Sequence, residues 1–186
     1  MGGRAGGGGS GFGSGSRGGA TERGYSAEMS KGVLSAEKSI AGNDFETLMS
    51  FDDKGNVTYT ATGGKNYVYY KGSEVANKVV THNHPKGSSF SADDLHGMVA
   101  TNMKEMRISA TEHTYSMKRP ASGWGKSPKA VKTYATRLHN QALKAFNSQK
   151  TGNAASDRKL WIKLSTQATT KLAKSYGWDF TVKKNK

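Results

Sequence analysis

One short stretch, from Val79 to Pro85, constrains the fold more than any other part of the sequence. Two apolar residues lead into histidines at positions 82 and 84, and a proline follows directly. Residues two apart on a strand project from the same face, so both imidazoles are expected to point toward one place. Proline has no backbone N–H and ends the hydrogen-bonding ladder there. The stretch therefore predicts a strand with His82 and His84 at its end, beside a loop.

A short Gly/Ser loop follows this strand, and Ser91 then opens a predicted helix with Asp94 in its first turn. Two imidazoles and one carboxylate that meet between a strand end and a helix start match a catalytic zinc site with one open position. Ser91 and Asp94 also form a variant of the helix capping box, and a histidine pair on a strand is often purely structural. The complete pattern, H-x-H-P followed by S-x-x-D, favours metal binding.

This pattern resembles the JAMM (MPN-type) zinc metalloproteases, and most of all the JAB-like domains associated with bacteria and phages. The resemblance implies zinc ligands at His82, His84 and Asp94, with Ser91 steadying the tetrahedral intermediate. It also implies a glutamate on an earlier strand that takes the proton of the attacking water. Glu46 is our candidate for this base, and Glu37 is the alternative.

The function that the resemblance implies is zinc-dependent hydrolysis of a peptide or isopeptide bond in a protein or peptide substrate. A phage or mobile-element setting follows from the same likeness, and with it a location in the bacterial cytoplasm or the virion. The alternative is a catalytically silent JAMM-like scaffold whose basic helices bind nucleic acid or a partner protein. A nuclease named for His-Asn-His residues is not indicated, because in such enzymes the three residues lie far apart in the sequence.

The chain has no cysteine, so histidine and carboxylate side chains are the only strong metal ligands that it offers. No stretch approaches the roughly 18 apolar residues that a membrane span requires, and no membrane partner is expected. Residues 1–24 are expected to form a disordered tail, because eleven of the first twenty residues are glycine.

Positive charge is concentrated near one end of the chain. Residues 121–186 contain fourteen Lys and Arg against two acidic residues, whereas residues 1–120 contain fourteen against twelve. Such asymmetry indicates an anionic partner such as nucleic acid. The competing interpretation is that the lysines only solvate the helices. Trp124 and Trp178 could stack on bases or pack in the core.

The expected fold class is α/β of the α+β kind, with a mixed, mainly antiparallel sheet and flanking helices. The likeness to JAMM proteins further implies their cytidine-deaminase-like layering. A JAMM-like domain is assigned to residues 25–120, and a basic helical extension to 121–186 with a final short strand packing back on the domain. Strands are predicted at 45–51, 57–62, 67–70, 79–82, 106–110 and 115–118, and helices at 25–41, 91–103, 128–148 and from about 154 to 176.

Overall fold

The computed structural model describes residues 22–185, so the predicted tail lies outside the described residues except for a 3-10 turn at Glu22–Gly24. Five helices and six strands follow this turn. In chain order they are α1 (Ala27–Ile40), β1 (Thr47–Phe51), β2 (Val57–Thr62), α2 (Gly72–Val75), β3 (Val79–Asn83), α3 (Ala92–Ala100), β4 (Glu105–Ser109), β5 (His113–Lys118), α4 (Pro128–Gln149), α5 (Ala154–Tyr176) and β6 (Asp179–Lys184).

The strands form one mixed sheet in the order β2-β1-β3-β4-β5-β6. Within the described chain, β3 and β4 pair in parallel and the other neighbours pair antiparallel. A parallel pair needs a crossover connection, and α3 supplies it between β3 and β4. The predicted α+β class with a mainly antiparallel mixed sheet and flanking helices is confirmed.

The two faces of the sheet are chemically different. On one face, α1 packs against Phe51 and Val79 through Met29 and Val33. On the other face, a larger core includes Val80, Ile108 and Tyr115 from the sheet, and α3 and α4 pack against each other above it. The alternation along β3 places Thr81 and Asn83 toward α1, and Val80 and His82 toward the larger core.

Residues from the basic C-terminal third contribute to that same larger core. Val131 and Leu138 of α4, Leu172 of α5, and both Trp124 and Trp178 are buried in it. The final strand β6 pairs antiparallel with β5 at one edge of the sheet.

The predicted strand at residues 67–70 is wrong. Tyr67 and Tyr69 are exposed while Val68 and Tyr70 are partly buried, so the alternation in the sequence is real. The segment nevertheless pairs with no other strand among residues 22–185. Alternating hydrophobicity reports burial of one side of an extended chain, and this can occur without a hydrogen-bonding ladder.

Candidate metal centre

The two histidines meet at the end of β3, as the H-x-H spacing predicts. Their Nε2 atoms lie 3.0 Å apart, and the rings meet edge to face. His82 is 1% exposed and His84 is 7% exposed, so both imidazoles are shielded from bulk water. Two ring nitrogens this close cannot both carry a proton without a clash, so at least one lone pair is directed at the space between them.

Asp94 completes the group from the first turn of α3. Its Oδ1 lies 3.3 Å from His82 Nε2, and its Oδ2 lies 3.4 Å from His84 Nε2. The same carboxylate accepts a 2.7 Å hydrogen bond from the backbone N–H of Ser91, and Ser91 Oγ accepts in return from the N–H of Asp94. The capping box and the ligand geometry are therefore compatible, because one carboxylate serves both.

A hydrogen bond on the far side of the His84 ring fixes its tautomer and orientation. Its Nδ1 lies 2.9 Å from the carbonyl oxygen of Ser88, which can only accept, so Nδ1 must carry the ring proton. Nε2 of the neutral ring then has a lone pair facing Asp94 and His82. Such a bond behind a metal-ligating histidine is the usual means of setting its tautomer.

The electrostatics of the group reflect its tight packing. Burial acts to raise the pKa of Asp94, but the imidazoles of His82 and His84 outweigh burial and hold that pKa well below its usual range. For His84, burial acts to lower the pKa, and the adjacent Asp94 carboxylate raises it overall. The two rings therefore favour the ionised form of the Asp94 carboxylate.

His82, His84 and Asp94 are placed closely enough to hold a metal ion, since one ligand atom from each lies within 4.8 Å of the others. The donor set also suits a metal, because it offers two imidazole nitrogens and one carboxylate, which bind Zn²⁺ well. Nδ1 of His82 is buried and has no hydrogen-bond partner among the described residues.

Glu46 lies just before β1 and lines the same cleft as the three candidate ligands. Its side chain is 7% exposed. Burial raises the pKa of Glu46, although the nearby rings of His82 and His84 act in the opposite direction. A carboxyl group whose pKa is raised holds a proton more readily than an ordinary glutamate does, which suits a group that accepts a proton and then returns it.

The other candidate base, Glu37, lies on the opposite face of the sheet. Its carboxylate pairs with Arg107 at 2.5 Å and 3.1 Å. Arg107 also reaches Glu105 at 3.2 Å, and all three side chains are buried. This ion-pair network occupies the α1 side of β4 and is separated from His82 and His84 by the sheet.

The cleft has a volume of about 760 Å³, and several of its walls come from parts of the chain that the motif did not indicate. Tyr70 borders it, and burial together with the nearby Asp94 raises the pKa of that phenol to about 12. His139 of α4 and Trp161 of α5 close another side, with ring centroids 5.2 Å apart. No local pattern marks these residues, because they reach the cleft only through the packing of the helices.

No helix among residues 22–185 is long and apolar enough to cross a membrane. Comparisons with protein-family models, with curated proteins and with solved structures returned no match.

Proposed function

We propose that this chain is a zinc-dependent hydrolase of peptide or isopeptide bonds with a JAMM-like site. The single observation that carries the proposal is the convergence of His82, His84 and Asp94 in a cleft that also contains Glu46. Three ligands with an adjacent carboxyl group are the set that metal-assisted amide hydrolysis needs.

His82 and His84 would bind the ion through Nε2, and Asp94 through its carboxylate. When bound, Zn²⁺ would polarise a substrate carbonyl and bring the pKa of a water molecule down to about 7. The hydrogen bond from His84 Nδ1 to Ser88 orients the ring in advance, so less ordering is needed on binding.

Glu46 would act as the general base and then as the general acid. Its carboxylate takes a proton from the attacking water and delivers it to the nitrogen of the leaving amine. The raised pKa of Glu46 supports this double role, because a group that is too acidic would not hold the proton between the two steps.

Ser91 and Tyr70 can stabilise negative charge on the carbonyl oxygen. Ser91 Oγ uses a lone pair to accept from the N–H of Asp94, so its hydroxyl proton remains available to donate into the cleft. The Tyr70 hydroxyl, with its pKa raised to about 12, stays protonated at neutral pH. Donors directed at a developing oxyanion lower the barrier to amide hydrolysis.

The first test is metal content. Purified protein should contain about one zinc per chain by elemental analysis, and His82→Ala and Asp94→Asn should lose it. His96→Ala is the matched control, since His96 lines the cleft but lies outside the ligand set. Equal zinc in wild type and both ligand variants would refute the site.

The second test separates an enzyme from a silent scaffold. The zinc-loaded protein is incubated with a mixture of quenched fluorescent peptides and with isopeptide-linked protein chains. Glu46→Gln should retain zinc and lose hydrolysis by a factor of about 10² to 10⁴. A wild-type protein that binds zinc and cleaves none of these substrates would support the scaffold alternative.

A further inference from the structure

A second surface combines aromatic rings with cations and shares no lining residue with the cleft. It surrounds a shallow depression of about 510 Å³ along the first part of α4, lined by Lys129, Tyr134 and Arg137 among others. Lys126 and Tyr176 adjoin it. We call these five residues the α4 surface.

The rings of the α4 surface are the outer end of a row of aromatic side chains in tilted or edge-to-face contact. Tyr134 and Tyr176 have ring centroids 5.6 Å apart, Tyr176 and Trp178 5.0 Å, and Trp178 and Trp124 4.8 Å. Both tryptophans are buried, and each indole N–H donates to a backbone carbonyl. The two tryptophans therefore pack in the core, and the two half-buried tyrosines are the rings available to a ligand.

Cations lie directly against these rings. The guanidinium of Arg137 sits 4.9 Å from the centroid of Tyr134, and Lys126 Nζ sits 5.4 Å from that of Tyr176. The Tyr134 hydroxyl also contacts Ser175 at 3.1 Å, which fixes the ring between α4 and α5. An arginine guanidinium that lies over a tyrosine ring can itself serve as a stacking partner for a base.

Nothing on these two helices neutralises this charge. Residues 128–176 contain ten Lys and Arg and one acidic residue, and α4 has no acidic residue at all. The one acid, Asp157, accepts hydrogen bonds from the backbone of Thr151 and Gly152 in the turn between the helices. Lys132 pairs with Asp93 of α3 at 2.7 Å, whereas Lys129 and Arg137 are exposed.

We propose that the α4 surface binds single-stranded nucleic acid. Its cations match a phosphate backbone, and its rings offer stacking positions for bases. Base stacking is what favours a single strand over a duplex, because the bases of a duplex already stack on one another. This inference does not depend on hydrolase activity, since it uses no residue of the metal centre.

The test is a fluorescence anisotropy titration of the full chain with labelled DNA and RNA oligonucleotides of about twelve nucleotides, and with the matching duplex, at several salt concentrations. The single strand should bind more tightly than the duplex. Tyr134→Leu keeps an apolar side chain against the core and should weaken binding about tenfold. Lys129→Gln/Arg137→Gln should reduce the slope of log K against log salt by about 1.4.

The matched control is Lys159→Gln/Lys163→Gln. It also removes two positive charges, but from the part of α5 that lies near Glu112 and His113 and outside the α4 surface. It should leave affinity closer to that of wild type, and His82→Ala should bind like wild type. Thermal melts verify that each variant is folded. The proposal would be overturned if both double variants lost the same affinity, or if the duplex bound as tightly as the single strand. It would also be overturned if polyglutamate competed as effectively as an oligonucleotide, or if no binding occurred at low salt.

Discussion

The side-chain oxygen of Asn83 accepts a 2.7 Å hydrogen bond from the backbone N–H of Thr47. The amide nitrogen of Asn83 also donates to the carbonyl of Phe45 at 2.9 Å and to that of Asn43 at 3.3 Å. Glu46 lies within this clamped segment. The residue between the two histidines thus faces away from the candidate metal centre and positions the backbone that carries the proposed base.

Asn83→Ala should therefore reduce catalysis without removing the metal. We expect a stability loss of about 1–3 kcal/mol, because the buried N–H of Thr47 loses its acceptor. We also expect a lower kcat at unchanged zinc content. Asn56→Ala is the control, since its side chain donates to Asp52 within an exposed turn and lies outside the segment that Asn83 holds. A destabilised Asn83→Ala protein with wild-type kcat would make the clamp purely structural.

Gly97→Ala should displace Tyr70 from the cleft wall. A Cβ built at Gly97 overlaps the Tyr70 hydroxyl oxygen, but it lies 3.4 Å from the Cζ atom that carries it. The single substitution should cost about 1–3 kcal/mol of stability despite the higher helix propensity of alanine. Adding Tyr70→Phe removes the oxygen and should recover most of that loss in urea unfolding. Additive effects of the two substitutions would contradict this packing.

Glu46→Gln should stabilise the metal-free protein at neutral pH. Burial raises the pKa of Glu46 above its unfolded value, so the native state binds more protons than the unfolded state between those two values. The contribution of Glu46 to the free energy of unfolding is fully present below the pKa of the unfolded state. It is lost as the pH rises through the higher pKa of the native state. Unfolding of both proteins with a chelator from pH 4 to pH 8 should show a gain for Glu46→Gln that disappears at the acid end.

Arg107→Met should destabilise the fold by about 3–5 kcal/mol, because it leaves the buried carboxylates of Glu37 and Glu105 without their shared cation. Lys104→Met breaks an exposed pair with Asp53 and should cost about 1 kcal/mol or less. Urea denaturation compares the two. A similar small loss for both would show that other contacts compensate within the network.

The candidate ligands could be predicted because they are close in the sequence. His82, His84 and Asp94 span one strand end, one loop and one helical turn, and each of these is set by local rules of strand alternation, proline and helix capping. The walls of the cleft could not be predicted in this way. His139 and Trp161 arrive from helices whose docking depends on the whole core, and no spacing in the sequence records that docking.

Tertiary packing, rather than local sequence, also decides which of the two candidate glutamates lies in the cleft. Strand alternation could place His82, but it could not show that Glu37 would pair with Arg107 on the opposite face. That pairing depends on how α1 lies across the sheet. Glu46 reaches the cleft because Asn83 fixes its backbone, which is a contact between residues 36 positions apart.

The contact between Arg23 and Asp179 joins residues 156 positions apart at 2.9 Å, and Asp179 begins the strand that covers the edge of β5. A ribosome synthesises the chain from one end, so β5 has an open edge until residues 179–184 have emerged. Trp178, a core residue, directly precedes this strand and is synthesised just before it. Stalled translation before this point would thus yield a nascent chain with an unpaired strand edge, the kind of intermediate that chaperones retain.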